Sequence, residues 1–466
     1  MSYQLLQNID KNKVFIVNRS EIEGRLDPKM MLFNRKVKNS IYNKFRLRDI
    51  LIEKPQYGAS EPGVTRDDPK SPRYIRITDI DEYGLISHED LGVTANLTDE
   101  KYVLHENDIL IARSGATVGK SYIHKKSPYT CFFAGYLIRF VINPQKALPD
   151  FIFAYTQTKT YKEWVNAIQR PSGQPNINAE EYKSLEIPLP DMDQQQVIVD
   201  IIKSAYFQKN QKESEAQQLL ESIDTYLLNE LGILIPENAT KINSRIFYTK
   251  RRELEDRLDP IFNKNYSIIK NISSCYPWKT LNDIVLNNGQ YGANESAIDY
   301  TEGNVRYIRI TDIDEWGNLK QEDKKSASCI NSAFMLRYND ILFARSGSVG
   351  RCYIHKDLSE PSIYAGYLIR FDIDTNKIDP DYLFYYCNSK LYKFWVSTIQ
   401  RPAVQANINA KEYRSLRIPL PPLSKQQEIA KQISAIRQKA KALQEEGKAI
   451  LERAKKEVEQ MILGEA

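Results

Sequence analysis

The octapeptide YIRITDID occupies Tyr74–Asp81 and returns without change at Tyr307–Asp314, an offset of 307 − 74 = 233 residues. Further segments return at offsets of 231 or 232: RLDP (25–28 and 257–260), ARSG (112–115 and 344–347), AGYLIRF (134–140 and 365–371), QRP (169–171 and 400–402) and IPLP (187–190 and 418–421). Such a constant offset indicates one domain copied in tandem. Two copies are too few for a solenoid.

Each copy mixes strand and helix patterns. Residues 74–80 and 136–142 are rich in β-branched and aromatic side chains and predict strands. Residues 149–168 place Phe153, Tyr161 and Trp164 at helical spacing. An α+β domain of about 190 residues fits this pattern.

A long helical segment follows the IPLP stop of each copy. The second carries a heptad seam, with apolar or small residues at 429, 433, 436, 440, 443, 447, 450 and 454. The first keeps this rhythm at its ends, within a helix predicted for residues 194–231, but is polar around Lys209 and Lys212. Asp193 is a predicted N-cap, and Ser424 with Gln427 a predicted capping box.

Two matched helices favour pairing with each other, although each could instead pack on its own domain. The predicted fold class is α+β: two tandemly duplicated α/β domains, separated and joined by two long helices that form an antiparallel coiled coil. We expect domain 1 at residues 1–192, a central spacer helix at 193–236, domain 2 at 237–423 and a C-terminal spacer helix at 424–466.

Composition excludes several classes of protein. The net charge of +5 is only mildly basic, so any nucleic-acid surface must concentrate its positive charge on one face. Five cysteines without a CxxC pair, and four scattered histidines, give no pattern of a disulfide framework or metal site. A signal-peptide core and long apolar runs are missing, so we expect a cytoplasmic protein with no membrane partner.

The repeated motifs resemble those of the specificity subunits of type I restriction-modification enzymes. YIRITDID, the NDIL(I/F)ARSG loop, the QRP…Q…NIN segment and the entry IPLP-x4-QQ into a long helix carry the resemblance. They occur in the same doubled order of domain, helix, domain, helix over essentially the whole chain. Each motif alone is weakly specific, whereas their duplicated order is highly specific.

The resemblance implies that each domain reads one half of a split target in double-stranded DNA and that the helices measure the gap between the halves. It implies two methyltransferase subunits, which use S-adenosylmethionine to methylate adenine, and restriction/translocase subunits driven by ATP with Mg. No cofactor and no catalysis would belong to this chain. The likeness of the two copies predicts similar half-sites, arranged as an inverted, interrupted repeat.

The ARSG loops are the first candidate DNA-binding sites. They carry Arg113, Ser114, Thr117 and Lys120 in copy 1, and Arg345, Ser346, Ser348 and Arg351 in copy 2. Three residues separate Gly115 from the Gly119-Lys120-Ser121 run, where a phosphate-binding P-loop requires four, and copy 2 lacks the Lys-Ser pair. Two interpretations remain: a basic loop that contacts DNA phosphates, or a tight turn with a local salt bridge.

A second set of candidates has side chains suited to reading base edges: Arg170, Gln174 and Asn176 in copy 1, and Arg401, Gln405 and Asn407 in copy 2. Arginine pairs with guanine, and glutamine or asparagine with adenine. The alternative is a capped loop in which Asn176 satisfies backbone groups.

A third set lies where the copies differ. Tyr57 and Tyr291 open loops of different sequence, with Arg66, Lys70 and Arg73 in copy 1 and Arg306 in a more acidic copy 2. Differing loops on a shared scaffold are where differing specificity is expected.

The remaining motifs do not indicate catalysis. Asp79 and Asp81, with Asp312 and Asp314, could bind a metal ion, but caps or salt bridges to nearby arginines are favoured because no nuclease signature follows. The sequence 259–262 (DPIF) departs from the (N/D)PP(Y/F) methyltransferase motif at Ile261. A fused enzyme with its own nuclease or methyltransferase site, and a coiled-coil adaptor that binds only proteins, are the rival hypotheses.

Overall fold

The computed structural model describes residue 16 and residues 28–36, 41–86, 91–169, 175–235, 259–400 and 406–463. The chain forms two compact units. Unit 1 comprises Met1–Glu213 with Gln444–Ala466, and unit 2 comprises Ser214–Leu443. No helix within the described ranges has the length and apolar character needed to cross a bilayer.

Unit 1 contains one complete α/β module and parts of both long helices. Its helices are α1 (Pro28–Lys36), α2 (Pro149–Thr156), α3 (Lys159–Ile168), α4 (Ala179–Lys183) and the start of α5 (Met192–Glu230). Its strands are β1 (Lys44–Arg46), β2 (Gln56–Tyr57), β3 (Val64–Thr65), β4 (Arg73–Ile75), β5 (Val93–Thr94), β6 (Ile109–Ala112), β7 (Ser121–Ile123), β8 (Cys131–Phe133), β9 (Leu137–Phe140) and β10 (Glu186–Pro188).

Unit 2 repeats this order of elements and has one more short helix, at Leu281–Ile284, where unit 1 has a 3-10 turn at Leu47–Ile50. Its helices after α5 are α6 (Pro260–Asn271), α7 (Leu281–Ile284), α8 (Pro380–Tyr386), α9 (Lys390–Ile399), α10 (Ala410–Arg414) and the start of α11 (Leu423–Leu463). Its strands are β11 (Trp278–Thr280), β12 (Gln290–Tyr291), β13 (Ala297–Asp299), β14 (Arg306–Ile308), β15 (Lys325–Ala327), β16 (Ile341–Ala344), β17 (Cys352–Ile354), β18 (Ser362–Tyr364), β19 (Leu368–Phe371) and β20 (Arg417–Pro419).

The two modules have the same sheet topology, which confirms the predicted duplication. A four-stranded antiparallel sheet has the order β2-β9-β6-β7 in unit 1 and β12-β19-β16-β17 in unit 2. The strand pairs β4-β8 and β14-β18 are parallel, and the small pairs β3-β5 and β13-β15 are antiparallel. Helices α2 and α3, or α8 and α9, pack on the sheet and bury an aromatic core.

The predicted strand over residues 74–80 is wrong beyond Ile75. Arg76 instead begins a 3-10 turn over Ile77–Asp79, in which the Asp79 carboxylate accepts from the Arg76 backbone N–H at 2.8 Å and from its guanidinium at 2.8 Å. Arg309 and Asp312 form the same closed pair. Because the Asp79 carboxylate takes up the Arg76 N–H, that N–H is not available for pairing with a neighbouring strand, and the strand ends here.

The helix predicted over residues 149–168 is two helices. Thr158 separates α2 from α3, and its side-chain oxygen accepts from the Tyr161 N–H, as an N-cap does. Ser389 separates α8 from α9 in the same way. The apolar spacing predicts the helical character of both segments, and the cap residue within it divides them into two helices.

The long helices begin slightly earlier than predicted. α5 starts at Met192, where Asp191 rather than Asp193 accepts from the Gln194 N–H at 2.9 Å. α11 starts at Leu423, so Ser424 lies inside the first turn and does not form the predicted capping box. At 1.5 Å per residue, the 39 residues of α5 span about 58 Å.

Each long helix packs both on a module and on the other long helix. In unit 2, Leu227 and Leu231 share a core with Ile429 and Ile433 and with the module. Ala216 packs on Ala440 at one end of this stretch, and Lys425 pairs with Glu230 at 2.7 Å at the other. The helices of unit 2 are therefore antiparallel, as predicted, and both alternatives for their apolar seams are realised.

The polar interruption in the first helix has partners within unit 1. Lys209 is buried, pairs with Glu213 at 2.7 Å and places its ammonium 4.6 Å from the centre of the Tyr83 ring. Lys212 pairs with Glu446 of α11 at 2.9 Å. The Lys209 ammonium can be buried because an opposite charge and an aromatic face lie beside it.

One buried glutamine fastens each module to the start of its long helix. Gln195 accepts from the Leu148 N–H at 2.9 Å and donates to the Pro190 carbonyl at 2.9 Å. Gln426 accepts from the Asp379 N–H at 2.8 Å and donates to the Pro421 carbonyl at 2.8 Å. These glutamines are the first of the QQ pair in each IPLP-x4-QQ motif, so that motif encodes the junction of module and helix.

The substitution Gln426→Ala is expected to lower the free energy of unfolding by about 1–3 kcal/mol, because it leaves a buried N–H and a buried carbonyl without partners. The neighbouring Gln427 is exposed, and Gln427→Ala is the matched control, with an expected change within about 0.5 kcal/mol. Urea unfolding followed by tryptophan fluorescence measures both. Equal midpoints for the two variants would contradict the role given to Gln426.

Candidate nucleic-acid interface

The ARSG segment forms a tight hairpin loop between β6 and β7. The Gly119 N–H donates to the Ala112 carbonyl at 2.9 Å, and the Ala112 N–H donates to the Lys120 carbonyl at 2.8 Å. Gly115 and Gly119 have φ angles of 85° and 86°, which favour glycine. Thr117 is exposed at the tip of this loop, while Arg113, Ser114 and Lys120 are half-buried.

Buried tyrosine hydroxyls hold both ends of the loop. Tyr182 donates to the Ala112 carbonyl at 2.8 Å, and Tyr161 donates to the Gly119 carbonyl at 2.9 Å. In unit 2, Tyr413 donates to Ala344 at 2.6 Å and Tyr392 to Gly350 at 2.7 Å. Burial raises the pKa of all four phenols, so these hydroxyls keep the protons that they donate.

The loop is also joined to the segment that precedes α4. The Ile177 N–H donates to the Arg113 carbonyl at 2.8 Å, and the Gly115 N–H to the Pro175 carbonyl at 3.1 Å. Asn176 pairs with Ser114 in a β-bridge and is exposed, as is expected of a side chain that can meet a ligand. The cap of α4 is Asn178, not Asn176, and it accepts from the Glu181 N–H at 2.9 Å.

Unit 2 repeats these contacts. The Ile408 N–H donates to the Arg345 carbonyl at 2.9 Å, and Ser346 forms a β-bridge with Asn407. Ser346 is buried, whereas Ser348 and Asn407 are half-buried. Four predicted base-reading residues lie outside the described part of the chain: Arg170, Gln174, Arg401 and Gln405.

The arginine of each ARSG segment stacks on a tyrosine ring. The Arg113 guanidinium lies 5.1 Å from the centre of the Tyr57 ring, and that of Arg345 lies 4.9 Å from Tyr291. The Tyr57 hydroxyl in turn accepts from the Ala179 N–H at the start of α4, at 3.0 Å, as Tyr291 does from Ala410 at 3.1 Å. Stacking fixes the plane of a guanidinium without using its N–H donors.

Two of the candidate basic residues donate hydrogen bonds to backbone carbonyls within the protein. Lys120 donates to the Ile80 carbonyl, and Arg351 donates to the Ile313 carbonyl, at the end of the 3-10 turn in each unit. Both cations stabilise the contact between the loop and the YIRITDID segment. Lys120, which occupies the position of the phosphate-binding lysine in the P-loop pattern, therefore has a structural role in this loop.

Three predicted DNA-binding arginines are buried. Arg66 is 2% exposed, donates to the Ser71 and Leu91 carbonyls at 2.8 and 3.0 Å, and stacks 4.0 Å from the centre of Tyr129. Arg73 is 2% exposed, and Arg306 is 3% exposed and donates to the Lys320 carbonyl. Because these side chains face the protein interior, we leave them out of the proposed interface.

Around these arginines lies a variable lobe in each unit, residues 60–72 and 91–97 in unit 1 and residues 294–305 and 320–329 in unit 2. The lobes are built on β3-β5 and β13-β15. Lys70 is exposed, as are Val64 at 55% and Ile298 at 48%. The lobes therefore present different side chains to solvent from a shared frame.

The aspartates considered as metal ligands have structural partners. Asp79 and Asp312 pair with arginines as described above, and Asp81 accepts from the N–H groups of Tyr83 and Leu85, both at 2.8 Å. Asp314 accepts in the same way from the N–H groups of Trp316 and Asn318, at 2.9 and 2.7 Å. These are the caps and salt bridges that were favoured from the sequence.

Sequence reasoning missed two exposed aromatic residues at the loop. Tyr136 and Tyr367, in the AGYLIRF motif, are 64% and 61% exposed. Their position directly before a buried strand was visible in the sequence, but their place beside the arginine loop depends on the pairing of β9 with β6.

Comparison with known families decides how these duplicated modules are classified. A family model described as the type I restriction modification DNA specificity domain matches residues 42–223 and again residues 277–453. The chain belongs to this family. Members of the family are the DNA-recognition, non-catalytic component of their complexes, which confirms the predicted absence of an enzyme activity.

Individual relatives agree with this assignment. The specificity subunits of the type I restriction enzymes StySPI from Salmonella potsdam and EcoKI from Escherichia coli K12 are 21% and 22% identical over 357 residues. Each match covers 74% of this chain and 70% of the relative. A solved structure titled for the complex assembly and conformational transition of the type I R-M system matches with a TM-score of 0.51 and 14% identity, covering 90% of this chain and 97% of that one. This likeness supports the fold.

Because the loop backbone packs closely on α9, we expect Gly350→Ala to destabilise unit 2 more than the same substitution at a glycine of similar φ in open space. Gly350 has a φ of 83°, and an added Cβ would lie 2.6 Å from the Val396 methyl groups. Gly303 has a φ of 88° but nothing within 4 Å of its Cβ position, so Gly303→Ala reports backbone strain alone, about 1 kcal/mol. Thermal unfolding should show a clearly lower midpoint for Gly350→Ala than for Gly303→Ala. A midpoint for Gly303→Ala that is equal to or below that of Gly350→Ala would contradict this expectation.

Proposed function

We propose that each unit reads one half of a bipartite DNA target through the surface formed by its arginine loop, the stacked tyrosine and the variable lobe. The main support is the repetition of one rigid frame under two different lobes. A frame that is the same in both units suits contacts common to both half-sites. The lobes suit contacts to bases that differ between them.

In this proposal the arginine loops hold the DNA backbone. Arg113 and Arg345 are oriented by their tyrosine rings and have donors suited to bidentate contact with phosphate. Thr117, Ser348, Ser114 and Lys70 would add contacts from the same surface. Asn176 and Asn407 lie next to the loops, in the segments that also contain Arg170, Gln174, Arg401 and Gln405, and we propose that these segments read base edges.

We further propose that α5 and α11 set the distance between the half-sites. Dimeric readers place their half-sites about one turn of DNA, roughly 34 Å, apart, and a spacer of about one to one and a half turns is expected. Because the modules share one topology, similar half-sites in an inverted, interrupted repeat are expected. Footprinting that shows a direct repeat would contradict this arrangement.

The chain is expected to act with two methyltransferase subunits and with restriction subunits. S-adenosylmethionine would be bound by the former, and ATP with Mg by the latter. The methyltransferase subunits would flip the target adenine into their own pockets.

Single-molecule methylome sequencing tests the proposed function directly. Cells that express this chain together with the methyltransferase subunit encoded beside it should methylate adenine in one bipartite motif. Cells that express the methyltransferase subunit alone should not. Methylation of an undivided motif, or the same motif without this chain, would contradict the proposal.

Replacing Arg345 by alanine should weaken DNA binding about tenfold and reduce the slope of log K against log salt by about 0.9, as expected for one lost phosphate contact. Arg337 is exposed and precedes the strand that Arg345 follows, so Arg337→Ala is the matched control. Fluorescence anisotropy of the complex with a duplex that contains the motif measures both values. Equal affinities for the two variants would exclude Arg345 from the interface.

A further inference from the structure

Tyr136 and Tyr367 are the same residue at the same place in both units, and the functional assignments above do not use them. Each follows a glycine in the turn between two strands, β8 and β9 in unit 1 and β18 and β19 in unit 2. The two residues are 64% and 61% exposed. One exposed tyrosine is ordinary on a protein surface, whereas the recurrence of the same exposure beside both arginine loops requires a reason.

The backbone of each tyrosine is fixed on the side of the arginine loop. The Arg113 N–H donates to the Tyr136 carbonyl at 2.9 Å, and the Arg345 N–H donates to the Tyr367 carbonyl at 2.9 Å. Since the buried tyrosine hydroxyls hold the same loops, Tyr136 and Tyr367 stand on an ordered support. Their rings and the stacked guanidinium groups are carried by adjacent backbone.

The turn is also fixed on the side that leads to the variable lobe. Ala134 pairs with Ala59 in a parallel bridge, and the Ala59 N–H donates to the Phe133 carbonyl at 3.0 Å. Gly58 permits this approach, because a Cβ there would overlap the Ala134 carbonyl. In unit 2, Gly292 has the same relation to Ala365, and the Gly366 N–H donates to Ala293 at 2.7 Å.

A rigid backbone that carries a largely exposed aromatic ring is suited to binding. The ring offers apolar area and the phenol offers one donor, and a tyrosine loses little side-chain entropy when it is immobilised. Folding gives no account of the exposure, since these two rings leave most of their surface in water. The neighbouring guanidinium makes a polyanion the best-matched ligand.

We infer that Tyr136 and Tyr367 are DNA-contact residues, which pack their rings on the sugar–phosphate backbone of each half-site and donate their hydroxyls to a phosphate. The inference rests on the proposed function and adds a sequence-independent anchor to each unit. Because the residue and its support are the same in both units while the lobes differ, these contacts do not distinguish one half-site from the other.

The test uses the complex of the full chain with its methyltransferase subunit, on a duplex with the methylated motif and on an unrelated duplex of equal length. Tyr136→Ala and Tyr367→Ala should each raise the Kd about tenfold on both duplexes, so that the ratio of the two Kd values stays unchanged. Tyr136→Phe and Tyr367→Phe keep the ring and should raise the Kd about threefold.

Tyr338→Ala is the matched control, because Tyr338 is 56% exposed but precedes β16, whereas Arg345 follows that strand. It should bind as the unmodified complex does. Wild-type Kd values for the alanine variants, or a loss confined to the motif duplex, would overturn the inference. If the phenylalanine variants bound with wild-type affinity, the proposed hydrogen bond from hydroxyl to phosphate would be overturned. This result can be obtained even if an alanine variant fails to fold. An unmodified complex that binds neither duplex would instead overturn the proposed function.

Discussion

The hydrogen bonds from buried tyrosine hydroxyls to the ends of the arginine loops are the constraint on which the proposed interface depends. A phenol buried without an acceptor costs about 1–3 kcal/mol, so Tyr182 and Tyr413 stabilise the fold only if Ala112 and Ala344 present their carbonyls at the observed places. The loop geometry therefore follows from core packing and does not depend on DNA. A preformed loop avoids the entropy cost of ordering on binding.

Much of the positive charge near the loops serves the fold itself. Lys120 and Arg351 bind carbonyl oxygens at the YIRITDID turn, and Arg66 and Arg306 bind carbonyl oxygens inside the variable lobes. On the proposed interface, Arg113 and Arg345 are oriented by aromatic rings. This division of roles explains why several of the predicted basic contacts are not part of the proposed interface. It also explains why the lobes keep their shape while their exposed residues differ.

The sequence predicted the duplication, the module class and the paired long helices because repeat offsets and heptad spacing are strong signals. It failed where a single side chain overrides a periodic pattern: Asp79 ends a strand, and Thr158 divides a helix. It also could not separate the fully buried Arg66 from the half-buried Arg113, since both are basic residues in predicted loops and both stack on a tyrosine ring. The exposed Tyr136 was missed because strand pairing, and not local sequence, brings it to the loop.

In the proposed interface, the frame makes contacts common to both half-sites and the variable lobe determines which bases are read. Replacement of residues 60–103 by residues 294–335 tests this division of roles most directly, because Ala59 and Leu104 bound the first block as Ala293 and Leu336 bound the second. Methylome sequencing should show two similar but non-identical half-sites for the original chain and two identical, inverted half-sites for the exchanged chain, with the spacer unchanged. A motif that stays as it was, or one in which the half read by unit 2 also changes, would contradict the account.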